Sequence, residues 1–316
     1  MSDLRQMPLF TANPQSPDDI NKHTPFVSTL ELFLKHLQKE GKSEHTLKAF
    51  RSDLLLVGEH LDNNVPVGNF TTTMLNDFLK WLENGRGVPC SRKSYARRVT
   101  TLKVYFKWIH SIGAIIHDPA KAILQRSGPA PLSDVLSEDQ ILACIDFTQR
   151  LRKNDIQDYR PEMLFRLLVD TGIKKSETMR LTPASIDRTN PNRPLLVVRN
   201  KVRNVFKERR IELDKDWVKL FDLYRQQYPP KKADKPEIIT CTSRNLEYIL
   251  TDLGEGAGIP FKLSFEVLRW TSAVRDHQMG VEDDIIREKL GLSKISWHET
   301  GQKIRKLSEK LNEANI

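Results

Sequence analysis

Cysteine is scarce in this 316-residue chain: Cys90, Cys144 and Cys241 stand far apart, with no CxxC pair. An odd number so widely spread excludes a disulfide framework. With no His-rich partner nearby it also argues against a zinc site; no small-molecule cofactor is expected. Long apolar runs are missing as well. No stretch approaches the ~20 residues of a membrane span, and Met1 to Phe10 lacks the basic start and apolar run of a signal peptide. A cytoplasmic location without a membrane partner is expected. Tyrosine is sparse, and none follows Tyr248. Disorder is excluded too. Hydrophobic residues make up 39% and charged residues 29%, ordinary for a globular chain, and the length suits two domains of roughly 100–200 residues each.

What is abundant is positive charge. Lys and Arg number 50 against 41 Asp and Glu, a net charge of +9. The excess is concentrated. From Arg86 to Lys107 stand seven bases (Arg86, Arg92, Lys93, Arg97, Arg98, Lys103, Lys107) and no acid. From Arg199 to Arg210 stand six (Arg199, Lys201, Arg203, Lys207, Arg209, Arg210) and one acid, Glu208. These two stretches hold more than the whole net charge, so the remainder is mildly acidic. Two basic patches on an acidic body are the footprint of a polyanion ligand, nucleic acid first among them.

Periodicity places the patches. Residues 1–24, with Pro8, Pro14 and Pro17, read as a disordered tail. Residues 25–125 read as a helical bundle. Leu30, Phe33, Leu34 and Leu37 mark a first helix stopped at Gly41, and Ser43 caps a second carrying Leu47, Phe50, Leu54 and Val57. Thr71–Thr73 cap a third with Leu75, Phe78, Leu79 and Leu82. A fourth runs from about Ser91 to Ile112, with Val99, Leu102, Tyr105, Phe106 and Ile109 inward and its bases largely off that face. Gly128, Pro129 and Pro131 place a linker over 126–135, and a second, mainly helical domain follows over 136–316. In it Ser137 to Gln140 form a capping box, and Gly172 ends a helix begun at Pro161. Leu195–Val198 and Val205–Leu213 form a hairpin around a basic turn at Asn200–Asn204.

Several short blocks now resemble one family, the tyrosine recombinases (phage-integrase and Xer-like proteins), over about residues 26–312. Phe33 to Leu37, Ser43 to Leu47 and Phe50 to Leu54 are similar to the FLxxL, GxSxxTL and YxxDL blocks of its SAM-like core-binding domain. Thr171 to Glu177 resembles TGLRxSE, Lys207 to Leu213 the KER-(V/I)-P-L end of its hairpin, and Leu290-Gly291 its LGH. The resemblance implies a helical bundle followed by a helical catalytic-type domain with a small β-hairpin. It also implies metal-free transesterification at a DNA phosphate. A tyrosine attacks phosphorus, two arginines and a histidine or tryptophan hold the oxygens, and a hairpin lysine protonates the leaving oxygen.

Placed residue by residue, the implied machinery is degenerate. The first arginine falls on Lys174, which keeps the charge but loses the planar fork. The hairpin lysine falls on Lys201. The HxxR box falls on Glu266 to Arg269, so Arg269 is retained while the histidine has become a carboxylate that repels phosphate. Trp270 follows Arg269, the histidine of LGH is Leu292, and the nucleophile position is Gly301, which has no side chain. His298 is the one nucleophile-like group nearby.

The reading that follows is a duplex-DNA-binding recombinase-like protein without catalysis, nucleoid-associated, an accessory or regulator of recombination or integration beside active recombinases of a mobile element. Its DNA-contacting residues are expected to be Arg92, Lys93, Arg97, Arg98, Lys174, Lys201, Arg203, Arg209 and Arg269. A final helix with Ile304, Leu307 and Leu311 offers a face either for other recombinase subunits or for its own domain. Two alternatives stay open: an active recombinase with a non-standard or trans-supplied nucleophile, and a protein-binding module whose basic patches serve solubility.

Overall fold

The computed structural model describes residues 13–125, 131–153, 157–202, 205–230 and 237–314. The chain divides into two compact units, Met1–Ala130 and Pro131–Ile316.

The first unit is a bundle of α1 (Phe26–Lys39), α2 (Glu44–Leu61), α3 (Thr72–Asn84) and α4 (Arg92–Ser111). Three helices begin at hydroxyl caps: Ser43 accepts from the Thr46 N–H, Thr71 from Met74, and Ser91 from Ser94. Each such cap is worth about 1 kcal/mol. The core is aromatic, with Phe26, Phe33, Phe70, Tyr105 and Phe106 in tilted and edge-on contact. The buried Tyr105 hydroxyl is matched by Thr29 Oγ1 at 2.6 Å, so a polar tip enters the core without an unmet hydrogen bond.

The segment before α1, expected to be tail through residue 24, joins this bundle from residue 13 onward. Ile20 is 5% exposed in the core. The backbone N–H groups of Val67 and Gly68 donate to the carbonyls of Thr24 and Lys22. One well-placed apolar residue and a pair of backbone bonds offset the ordering of a short polar segment. Of the expected linker, residues 126–130 lie outside the described residues, as do 1–12 of the expected tail.

The second unit opens with α5 (Glu138–Lys153), α6 (Arg160–Thr171) and the single turn α7 (Lys175–Thr178). A three-stranded antiparallel sheet follows in the order β1 (Ile186–Asp187), β2 (Leu195–Val202), β3 (Val205–Glu212). Then come α8 (Lys215–Gln227), α9 (Ser243–Gly256), α10 (Phe265–Gln278), α11 (Asp283–Lys289) and α12 (Lys294–Ala314). The expected capping box at the start of α5 is present: Gln140 N–H donates to Ser137 Oγ and Ser137 N–H to Gln140 Oε1. The hairpin is tighter than expected. Asn200, Lys201 and Val202 remain paired with Lys207, Phe206 and Val205, so the strands run through most of the basic stretch read as a turn.

One core gathers α5, α6, α8, α9 and the sheet around Trp217, Phe165 and Tyr224. A smaller cluster holds Ala273, Val274, Ile286, Leu290, Ile304 and Leu307 from α10, α11 and α12. The apolar face of α12 is thereby covered by its own unit. Of the two destinations expected for that helix, the structure shows the intramolecular one.

Candidate nucleic-acid interface

In the first unit the interface candidate is α4. Arg92 and Lys93 occupy its first turn, are exposed, and meet no carboxylate among the described residues. Cations there oppose the helix dipole at a cost of roughly 0.3–1 kcal/mol each. Stability does not place them; an anion brought to that end would be favoured by both the side chains and the dipole. Lys103 and Lys107 continue the surface along the helix. Arg97 is 40% exposed and donates through Nη2 to Asp53 Oδ1 at 2.8 Å.

Arg98 corrects the sequence expectation. It is 12% exposed, with Nη1 on Cys90 Sγ at 3.0 Å and Nε 3.5 Å from Asp53 Oδ1. Its helical neighbours at i−3, i+4 and i+7 are Tyr95, Leu102 and Tyr105, all buried. Arg98 therefore lies on the apolar stripe and is an interior partner of Asp53, not a phosphate contact.

In the second unit the residues of the implied phosphate site do converge. Gly172 ends α6 in the left-handed conformation at φ 58°, and a side chain there would press on Ser272 and Leu290 at 3.2 Å. This tight reversal sets Lys174 at the start of α7 and buries Glu177 three residues on. Arg209 on β3 forks onto Glu177, Nη1 to Oε1 at 3.0 Å and Nη2 to Oε2 at 2.7 Å. Asn200 Nδ2 donates to Oε1 at 2.6 Å and the Lys174 N–H to Oε2 at 2.9 Å. Burial alone would raise the Glu177 pKa, but these donors hold it down at about 2.

Arg209 was expected to contact DNA. It is 12% exposed, and its Nε donates to the Lys289 carbonyl at 2.9 Å. Its fork is committed to Glu177 and its role is architectural. The period of two explains this: Arg209 shares a strand face with the buried Ile211.

Arg269, on α10, does not pair with Glu266. Its Nη1 donates to the Gly172 carbonyl and its Nη2 to the Leu290 carbonyl, joining the end of α6 to the turn between α11 and α12. Burial lowers its pKa to about 10. Lys174 is also lowered, first by partial burial and then by the charges of Arg269 and Arg209, with Glu177 opposing. Three cations thus share one carboxylate. The surplus positive charge is what would hold a phosphate.

Among the described residues, the side chains at the implied histidine and nucleophile positions take no part in this cation group. Glu266 is exposed on the first turn of α10. Leu292, Trp270 and Trp297 are half-buried against the small cluster of α10, α11 and α12. Gly301 is buried, and a side chain there would begin 3.1 Å from the Trp297 indole. His298 is exposed on α12. Tyr248, on α9, is 51% exposed, and its hydroxyl accepts from Arg244 Nε at 2.8 Å. Arg203 and the side chain of Lys201 lie outside the described residues. Beside the cation group, β3 and the α11–α12 turn border a groove of about 910 Å³ lined by Lys207, Arg287, Ile285 and Leu292 among others. No cluster of three or more metal-ligating side chains occurs among the described residues, and no helix among them is long and apolar enough to cross a membrane.

Comparison with known proteins points the same way. A model of the phage integrase N-terminal SAM-like domain matches residues 30–112. Tyrosine recombinase XerC of Staphylococcus saprophyticus is 23% identical over 293 residues, 87% of this chain and 93% of that protein. These matches support a likeness to the tyrosine recombinase family. XerC of Mycobacterium sp. (strain JLS) is 28% identical over 176 residues, 55% of this chain, and that match spans only 58% of the mycobacterial protein. Among solved structures, the fold of this chain matches the XerH site-specific recombinase in a post-cleavage complex with palindromic difH substrate. The TM-score is 0.69 at 18% identity, covering 92% of this chain and 84% of that one. A lambda integrase dimer bound to a COC' core site matches at TM-score 0.66 and 16% identity, covering 87% and 77%. The mainly helical fold with a small antiparallel sheet is thus that of the tyrosine recombinases.

Proposed function

We propose that this chain binds duplex DNA, seats a backbone phosphate on Lys174 and Arg269, and does not cut it. It acts as an accessory or regulatory subunit of DNA recombination or integration, beside active recombinases. The observation that carries this reading is the division of fates within one site. The cations around Glu177 are kept, while Gly301 lies under the Trp297 indole and Leu292 and Trp270 pack as apolar side chains. A tyrosine recombinase needs both halves: charge to bind the phosphate and a hydroxyl to attack it. Related proteins captured on DNA, XerH on difH and lambda integrase on a core site, support duplex DNA as the ligand. The α4 surface adds a second cationic contact region in the other unit.

The test is a nicked suicide duplex incubated with the chain and resolved under denaturing conditions. Non-covalent binding that weakens steeply with salt, as expected when several phosphates are neutralised, and no covalent band, is the expected result. A covalent band lost on His298→Ala or Tyr248→Phe would overturn the non-catalytic reading. Salt-insensitive binding, or none, would overturn the DNA reading.

A further inference from the structure

Asp53 is a carboxylate inside a DNA-binding surface, where simple electrostatics gives it no place. It lies on α2, is 3% exposed, and faces the basic side of the bundle. Its Oδ1 is approached by Arg97 Nη2 at 2.8 Å and Arg98 Nε at 3.5 Å. Its Oδ2 accepts from Thr101 Oγ1 at 3.0 Å. One buried negative charge thus meets two guanidinium groups, leaving a surplus of one positive charge. The three members differ in access. Asp53 and Arg98 are enclosed, and only Arg97 opens to solvent. The surplus must therefore emerge through Arg97.

Arg97 can deliver it. It commits only Nη2 to Asp53, and its Nε and Nη1 have no partner among the described residues. A guanidinium spreads its donors over a rigid plane, so one edge can rest on a carboxylate while another faces a phosphate. Lys93 stands one turn before Arg97 on the same helix, four residues away, where two cations repel. An untethered Arg97 would swing away from that neighbour. The bond to Asp53 holds it beside Lys93, so two adjacent cations face the same way.

We propose that Asp53 is a positioning residue for DNA binding: a buried anion that fixes Arg97 on the α4 surface as a preoriented phosphate contact, with Arg98 neutralising its charge from within. This rests on the DNA-binding reading above.

The sign of one effect separates positioning from charge. Asp53→Asn removes a negative charge of the same shape, so electrostatics alone makes DNA binding tighter. Positioning makes it weaker. The measurement is fluorescence anisotropy of the full chain with a labelled mixed-sequence duplex over a salt series, with the fold checked by circular dichroism. Asp53→Asn is expected to bind roughly three- to ten-fold more weakly, with the slope of log K against log salt reduced by about 0.9, the value of one phosphate contact. Arg97→Ala is expected to do the same, and the double variant to lose no more than either single one. A merely structural role for Asp53 would instead give additive losses. Arg97→Lys keeps both charge and fold, and it serves if Asp53→Asn does not fold. A lysine held by Asp53 gathers its donors on one nitrogen and loses the second edge that faces the phosphate, so its binding is expected to fall toward that of Arg97→Ala. Binding by Asp53→Asn as tight as the native chain, or an unchanged slope in Arg97→Lys, would overturn the proposal. A native chain that fails to bind the duplex would overturn the DNA reading itself, a result visible before any variant is made.

Discussion

Glu177→Gln is the substitution whose cost the structure specifies most closely. The carboxylate is 1% exposed and receives four donors, two from Arg209 and one each from Asn200 and the Lys174 backbone. Glutamine keeps the shape but turns one oxygen into an NH2 group. Whichever way the amide faces, two of the four donors meet a donor. Three cations then lose the only carboxylate among them. A pKa held at about 2, against an ordinary glutamate value of 4.5, corresponds to about 3 kcal/mol, since each pKa unit is worth ~1.4 kcal/mol. Breaking a buried pair by removing one partner costs about 3–5 kcal/mol in comparable cases. The expected loss is therefore about 3–5 kcal/mol, confined to the second unit. The pH sign follows. A carboxylate with a depressed folded pKa stabilises fully above its unfolded value and loses that contribution as pH falls through the folded one, here between about 4.5 and 2. Urea unfolding of the native and Glu177→Gln chains across that range is the assay. The difference between them should shrink toward zero as pH approaches 2. A cost below about 1 kcal/mol at neutral pH, or a difference independent of pH, would refute the assignment of Glu177 as the anchor of the site.

Other outcomes follow from the same geometry. Arg98→Ala should destabilise the first unit by about 1–3 kcal/mol, as expected when a buried ionic partner is removed, while leaving the salt slope of DNA binding unchanged. A reduced slope would return Arg98 to the interface. Paired Arg92→Ala and Lys93→Ala should do the opposite, lowering the slope by about two phosphates with no loss of melting temperature; unaltered binding would remove the first turn of α4 from the contact surface. Gly301→Tyr should give no covalent adduct with a nicked suicide duplex and should destabilise by roughly 1–3 kcal/mol, as overpacked cores do. An adduct would show that Trp297 yields and that Glu266 and Leu292 are tolerated.

Much of the framework was legible in the chain. Ser43, Thr71 and Ser91 cap the helices they precede, and the i, i+3, i+4 pattern named over half of the first core, missing among others Phe26, Phe70 and Trp108. Two corrections were also legible, though the charge runs concealed them. Arg98 falls on the stripe of Tyr95, Leu102 and Tyr105, and Arg209 shares a strand face with Ile211, so periodicity alone marks both as inward. Counting bases along a run treats every base as exposed; the helical and strand periods sort them. What no local pattern could supply is partnership across the chain. That Arg269 donates to carbonyls 97 and 21 residues away, and that Asp53 meets α4 44 residues on, depends on how helices meet. Ile20 was hidden for another reason. A single apolar residue in a polar segment has no period at all.

Under the proposed reading, the residues standing at the family's catalytic positions are not neutral surface. Trp270, Leu292 and Trp297 pack on the cluster that seats α12, whose Ile304 and Leu307 are buried in it. The helix that carries Gly301 is thereby fastened to its own unit. On that reading, installing a catalytic residue faces an energetic barrier beyond supplying one hydroxyl. Leu292→His would bring a polar ring into an apolar contact, and Gly301→Tyr would need the Trp297 indole to move. Each change loosens the packing that the next requires, so their costs couple instead of adding. The cation group is not isolated from this packing. Arg209 is held by Glu177, and Arg269 by the carbonyls of Gly172 and Leu290. Leu290 is itself part of the cluster, so a change that loosens the packing around it should also be felt at Arg269.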